Sequence, residues 1–358
     1  MTCTTIDYHT AGEPFRIVAD PPIDIPGDTV AERLARAIEG SEADDLRRLL
    51  CFEPRGHADM YGGFLTPPDD EGADFGVLFW HKDGFSTACG HGTIALGAWA
   101  IESGRVAPDP SGVTEVVIDV PSGRVHAAVR TDADGLVESV DFVNVPSRLV
   151  ATGVAVDTSR GQAEVDLAWG GALYACVDAD RLGLVVESGA LGDLIAFGRE
   201  VNAGLSGHPL TVHPTDDRLS GVYGTIIVER LGVTDEGELH QRNVTIFADG
   251  QVDRSPCGSG TAARVAALWA SGELNADQVL VHDSIVGTRF RARVQSIVGD
   301  TDGGLSTVDE SARAGSGGPG AGHWDSVVPV VTGTAHKVAE CTFSVDDRDD
   351  LVPGFVLR

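Results

Sequence analysis

The chain has 358 residues, 26 basic and 54 acidic, for a formal charge of −28 and a pI near 4.5. That field repels phosphate backbones and argues against a nucleic-acid partner. The hydrophobic fraction of 42% excludes wholesale disorder, and the length suggests two domains, each able to bury a core. Only two of the basic residues are lysines, Lys82 and Lys337, which leaves little room for Schiff-base chemistry.

The chain start, Met1 to Asp7, has no basic and apolar leader, and no run reaches the roughly 18 apolar residues of a membrane span, so the sequence reads as cytoplasmic with no membrane contact. Residues 29–50 carry apolar positions at helical spacing, broken at Gly40, and predict one interrupted helix or two short ones. Strand-like runs follow at 76–80, 116–120 and 125–129, the last two separated by Pro121-Ser122-Gly123 as in a hairpin. After a polar stretch near 145–165 the alternation resumes. Residues 299–324 are poor in apolar side chains and rich in Gly and Ser, which predicts a surface loop.

The strongest signal is an internal repeat. Residues 89–104, CGHGTIALGAWAIESG, align with 257–272, CGSGTAARVAALWASG. The matched pairs are Cys89/Cys257, Gly90/Gly258, Gly92/Gly260, Thr93/Thr261, Ala95/Ala263, Ala98/Ala266, Ser103/Ser271 and Gly104/Gly272. A single repeat at half the chain length means two related halves, each with a cysteine opening an Ala-rich helix. A helix N-terminus offers free backbone N–H groups and partial positive charge. It favours a thiolate and can hold a carboxylate. The same glycines satisfy a loose GxGxxA dinucleotide pattern, but no apolar strand end precedes either copy, so they read as a carboxylate cradle.

Two similar acid/base groups suit inversion of a carbon stereocentre, in which one group removes a proton from one face and the other delivers a proton to the opposite face. The remaining cysteines, Cys3, Cys51, Cys176 and Cys341, lack CxxC spacing and read as reduced, buried structural thiols. No HExxH or Cys/His cluster with zinc-ligand spacing occurs, so no metal site is expected.

The segments DYHTAGEPFRIV (7–18), EPRGHADMYG (53–62), CGHGT (89–93) and DRSPCGSGT (253–261) resemble the proline racemase family, and the likeness continues to Pro353-Gly354-Phe355, which looks like the family's closing strand. The resemblance implies an α/β (α+β) fold of two pseudo-symmetric domains, each a curved sheet around a central helix, similar to diaminopimelate epimerase. The first domain would comprise 1–145 plus about 330–358, and the second 146–329. The resemblance implies cofactor-independent chemistry at an interdomain cleft, with Cys89 and Cys257 as the catalytic thiols. Gly90, His91, Gly258 and Ser259 would hold the substrate carboxylate, His91 and Asp253 would lie beside the substrate nitrogen and the thiols, and Tyr61 would touch the ring.

Family members that invert C2 of proline or hydroxyproline keep cysteine at both positions. Those that dehydrate trans-3-hydroxy-L-proline typically carry threonine where this chain has Cys257. The expectation is therefore a proline racemase or 4-hydroxyproline 2-epimerase. The alternatives are a trans-3-hydroxy-L-proline dehydratase, which a tyrosine at 61 resembles, or a non-catalytic imino-acid-binding protein. A homodimer is compatible with this reading.

Overall fold

A computed structural model describes residues 2–38, 40–215, 217–298, 305–306, 326–346 and 348–357. The fold is mixed α/β, and the chain separates into two compact units, Met1–Phe142 with Gly333–Arg358, and Val143–Thr332.

In the first unit Thr2–Thr10 and Glu13–Val18 form a hairpin. Its two-residue turn, Ala11-Gly12, takes positive φ at both positions, the geometry that matches strand twist. Glu13–Val18 then pairs in parallel with Tyr61–Thr66. A parallel return needs a crossover, supplied by helices α1 (Val30–Arg36) and α2 (Glu42–Cys51). Both start where the sequence provides an N-cap. Thr29 Oγ1 accepts from the Glu32 N–H at 3.2 Å and Ser41 Oγ from the Asp44 N–H at 3.0 Å. The break at Gly40 thus resolves the predicted helical stretch into two. Tyr61–Thr66 pairs with Phe75–His81, which carries the short strand Gly84–Ser86 on one side and runs parallel to Val113–Val120. Val113–Val120 closes a hairpin with Gly123–Thr131, as expected, and Val137–Val143 follows. Ala335–Ser344 returns to pair with Thr2–Thr10.

The crossover before Val113–Val120 is helix α3 (Gly90–Glu102), buried from Gly90 to Ile101. A helix apolar on every side must be enclosed. Gly97 makes this close: a Cβ there would lie 2.9 Å from the Ala127 methyl and 3.1 Å from Val140.

The second unit repeats the pairing scheme. Arg148–Thr158 pairs with Gly161–Trp169, which forms a hairpin with Leu173–Asp178. Leu173–Asp178 is parallel to Val222–Val233, and helix α4 (Leu191–Gly204) lies between them in sequence. Val222–Val233 pairs with Leu239–Phe247, which carries the short strand Gln251–Asp253 and runs parallel to Leu280–Ser284. The crossover is helix α5 (Gly258–Ser271), again buried through its first three turns. Arg289–Val298 and Ser326–Gly333 complete the sheet. Leu194, Phe197 and Val201 on α4 pack with Val244 and Ile246 in the core of this unit.

Three expectations need comment. The segment 299–324 lies outside the described residues, apart from Leu305–Ser306, which pairs with Ile297–Val298. The closing strand at 353–355 is a single bridge, Phe355 to Glu53, because Pro353 has no N–H to extend a ladder. Cys341 is half-buried where burial was expected, since it sits in a strand with one face toward solvent. No helix among the described residues is long and apolar enough to cross a membrane.

Candidate active site

In the first unit Cys89 is the N-cap of α3, where serine, threonine or aspartate would ordinarily sit. Its sulfur accepts from the Gly92 N–H at 3.2 Å, so one of the helix's free donors is turned onto the thiol. Sγ also lies 3.4 Å from Nδ1 and 3.6 Å from Nε2 of His91. Gly92 is required here, because a Cβ would meet Phe15 Cε2 at 2.5 Å and the Cys89 sulfur at 2.8 Å. The His91 ring is enclosed edge-on by Tyr61, 4.9 Å away, and by Phe15, 5.8 Å away. Its carbonyl is tied to Thr10 Oγ1 at 2.8 Å. Burial lowers the His91 pKa to about 3, with the Pro14 carbonyl opposing weakly, so the ring is neutral at ordinary pH. Cys89, Gly90, His91 and Tyr61 thus gather at one end of α3.

In the second unit Cys257 heads α5 with φ +64°, a conformation that costs an L residue strain and must be held by its surroundings. Four bonds hold it. The Cys257 N–H donates to Ser255 Oγ at 3.1 Å, and its carbonyl accepts from the Thr261 N–H at 2.7 Å. The preceding carbonyl, of Pro256, accepts from Asn243 Nδ2 at 2.8 Å and from Thr261 Oγ1 at 2.9 Å. Asp253 joins through Ser255, whose N–H and hydroxyl both reach Asp253 Oδ1, at 2.8 and 2.7 Å. Burial raises the Asp253 pKa despite these donors. On the other side, the Tyr174 hydroxyl oxygen lies 2.7 Å from Ser259 Oγ and 3.8 Å from the Cys257 sulfur. Asp253, Cys257, Gly258 and Ser259 therefore share the N-terminal end of α5.

The expectation that a helix N-terminus makes the thiol more acidic does not hold at Cys257. Burial first, and the Asp253 charge second, push its pKa well above the usual value, outweighing the Gly260 N–H and nearby hydroxyls. A helix end contributes a fraction of a charge, whereas desolvation acts on the whole thiolate. In these surroundings burial favours the protonated form of Cys257.

Sequence reasoning missed Tyr174, Thr245, Asn243 and His282. Tyr174 and Thr245 come to the Cys257 thiol from neighbouring strands, and Asn243 and His282 act one step back, on the Pro256 carbonyl and on Thr261. The one available signal was weak: Tyr174 follows Gly170-Gly171 much as Phe15 follows Ala11-Gly12. Among the described residues, no group of three or more His, Cys, Asp or Glu is placed to hold a metal ion.

The family model described as proline racemase matches residues 5–356. The chain is 43% identical over 364 residues to a trans-3-hydroxy-L-proline dehydratase of Burkholderia cenocepacia, covering 99% of this chain and 98% of the relative. It is equally 43% identical, over 359 residues and with the same coverage, to a 3-hydroxyproline 2-epimerase of Burkholderia multivorans. A crystal structure of a hydroxyproline epimerase from Agrobacterium vitis, with bound trans-4-OH-L-proline, superposes with a TM-score of 0.84 at 28% identity, over 99% of this chain and 96% of that one.

Proposed function

Because the chain belongs to the proline racemase family of enzymes, we propose that it inverts C2 of a 3-hydroxyproline, with Cys89 and Cys257 as the acid/base pair. The observation that carries this reading is the cysteine at the head of both buried helices, α3 and α5. The names of two relatives support a 3-hydroxy ring over the proline or 4-hydroxyproline expected from the motifs.

In one direction the Cys89 thiolate takes the Cα proton and becomes a thiol. The electron pair left on C2 delocalises into the carboxylate, whose growing charge is met by the N-terminal amides of Gly90, His91, Gly258 and Ser259. The Cys257 thiol then gives its proton to the opposite face and becomes the thiolate. In the reverse direction the roles exchange. A buried neutral His91 beside Cys89 can hydrogen-bond the sulfur without placing a fixed cation against it. A thiol that burial keeps protonated suits the group that donates first.

A second reading, dehydration of trans-3-hydroxy-L-proline, is supported by the names of several relatives and by Tyr61 against His91. There the same Cα proton is removed, but the electron pair forms a C2–C3 double bond while the 3-hydroxyl leaves as water after protonation. That chemistry needs no proton returned to C2 from the opposite face, and so gives no reason for a second cysteine.

Proton NMR in D2O, with trans-3-hydroxy-L-proline, trans-4-hydroxy-L-proline and L-proline in separate tubes, decides between them. The proposal expects exchange of the Cα proton of the 3-hydroxy compound and growth of its C2 epimer. An unsaturated ring product alone would establish the dehydratase. Epimerisation confined to proline or 4-hydroxyproline would restore the motif-based substrate. No exchange in any tube would leave imino-acid binding without turnover. Cys89→Ala and Cys257→Ala should each abolish inversion, because either direction needs both thiols.

A further inference from the structure

The strand ladders allow the surroundings of the two cysteines to be matched residue by residue. In the first unit Tyr61 pairs with His81 at the end of the Phe75–His81 hairpin, and Phe79, two residues earlier, pairs with Ser86. In the second, Gly224 pairs with Phe247, and Thr245, two residues earlier, pairs with Asp253. Phe79 and Thr245 are thus equivalent positions. Across the parallel ladders, Arg16 pairs with Gly62 as Ala175 pairs with Thr225, so the preceding residues, Phe15 and Tyr174, are equivalent as well. Serine 259 corresponds to His91, each two residues after its cysteine.

At both matched positions the first unit has phenylalanine and the second a hydroxyl. Phe15 and Phe79 pack edge to face, 6.0 Å apart, and Phe15 packs on His91. Tyr174 reaches Ser259 and the Cys257 sulfur. Thr245 is fully buried, its hydroxyl has no conventional hydrogen-bond partner, and the group it acts on is the Cys257 thiol. The fold tolerates apolar side chains at these two places, as the first unit demonstrates. Packing alone therefore does not call for a buried phenol and a buried threonine hydroxyl.

We propose that Tyr174 and Thr245 are a positioning pair for Cys257, two hydroxyls that follow the proton on its sulfur and stand where the first unit has phenylalanine. The inference rests on the acid/base role given to Cys257 above. With Cys257 as a thiol, S–H donates to the Tyr174 oxygen and the phenol donates to Ser259 Oγ. Once the proton has gone to substrate, the phenol hydrogen turns to the thiolate, Ser259 donates to the phenol oxygen, and the Thr245 hydroxyl donates to sulfur beside the Gly260 N–H. No proton leaves the hydroxyls in either state; only their orientation changes. Burial keeps the Tyr174 phenol protonated throughout, holding its pKa well above the usual value. The pair offsets what burial and Asp253 impose on the thiolate, and so returns Cys257 to service as a base in the reverse direction.

The test reads the thiol without substrate. Wild type, Tyr174→Phe, Thr245→Val, Thr245→Ser and the Phe/Val double variant are treated with iodoacetamide at pH 8, and the rate at Cys257 is followed by peptide mapping with Cys89 as internal standard. The double variant should react about fivefold or more slowly at Cys257, because fewer of its thiols are ionised, while Cys89 is unchanged. Thr245→Ser should restore the wild-type rate at that position. A Cys257 rate within about twofold of wild type, in a variant whose Cys89 rate and circular dichroism are intact, overturns the proposal. If the double variant fails to fold, Tyr174→Phe alone decides, since it copies the residue found in the first unit. Failure of the catalytic reading is distinct: it would show as inversion surviving Cys257→Ala, whatever the alkylation rates.

Discussion

Nδ1 of His282, a residue with no exposed surface, lies 2.9 Å from the Thr261 hydroxyl oxygen, four residues into the helix that Cys257 opens. Nε2 of the same ring is 2.8 Å from Asn243 Nδ2. Thr261 and Asn243 are the two side chains that hold the Pro256 carbonyl, so the imidazole braces the clamp behind Cys257. A neutral ring with its proton on Nδ1 satisfies both contacts, donating to Thr261 and accepting from Asn243. His282→Leu leaves two buried polar groups short of a partner and should cost about 2–4 kcal/mol. Thermal unfolding measures that loss. A variant as stable as wild type would show that the brace is not needed.

Three buried imidazoles make the protein acid-sensitive. Burial lowers His81 to about 4 and both His91 and His282 to about 3, against 6.5 in the unfolded chain. The unfolded state therefore binds more protons below pH 6.5, and stability falls as pH drops through that value, flattening only near the folded pKa values. At pH 5 each group costs about 2 kcal/mol. Asp253 acts with the opposite sign, because its folded pKa is raised and its cost is relieved on acidification. Urea midpoints at pH 7.5 and pH 5 should differ clearly, with the lower value at pH 5. Equal midpoints would mean that water reaches these rings.

Gly92 and Gly192 should respond oppositely to alanine. At Gly92 the new methyl would collide with Phe15 and the Cys89 sulfur, so Gly92→Ala should destabilise by about 1–3 kcal/mol and cut turnover as the thiol is displaced. Gly192, in the first turn of α4, has nothing within 4 Å of its would-be Cβ and ordinary helical backbone. There alanine should stabilise by up to about 1 kcal/mol through lower unfolded-state entropy, with activity untouched. Paired thermal melts and initial rates on the two variants check both signs.

The ion pair of Arg16 and Asp7 joins neighbouring strands, 2.7 Å apart and almost fully buried, and Arg16 also donates to the carbonyls of Leu50 and Arg55. Arg16→Met should be strongly destabilising, by about 3–5 kcal/mol, because it strands the Asp7 carboxylate and two carbonyls. The double replacement Asp7→Leu with Arg16→Met should recover part of that loss. A double variant no better than the single one would place the cost in the carbonyls of Leu50 and Arg55.

What could be read from the sequence is what is local in it. The cysteine, the two glycines and the threonine of each repeat are contiguous, and so announce a helix start and its close approaches. Gly40 between capped segments likewise announces a helix break. The surroundings of the two cysteines were not legible in the same way. Phe15 and Tyr174 are equivalent only through a parallel ladder, and their flanking sequences share little. His282 reaches Thr261 and Asn243 across 21 and 39 residues, by strand pairing that no local pattern encodes. The acidity of Cys257 was misjudged for a related reason, since helix position is visible in sequence and depth of burial is not.

Thr2–Thr10 lies between Glu13–Val18 and Ala335–Ser344, so the first strand made is completed by one of the last. On the ribosome the first unit cannot close until its final segment emerges, whereas Val143–Thr332 is continuous and free to fold ahead of it. At about 5–20 residues per second the intervening stretch takes roughly 10–40 s to make. Through that interval the nascent chain carries an open sheet edge beginning at Thr2, the kind of edge that invites pairing with a stranger. Premature stops that remove Ala335–Ser344 should therefore yield aggregates rather than a weakened enzyme.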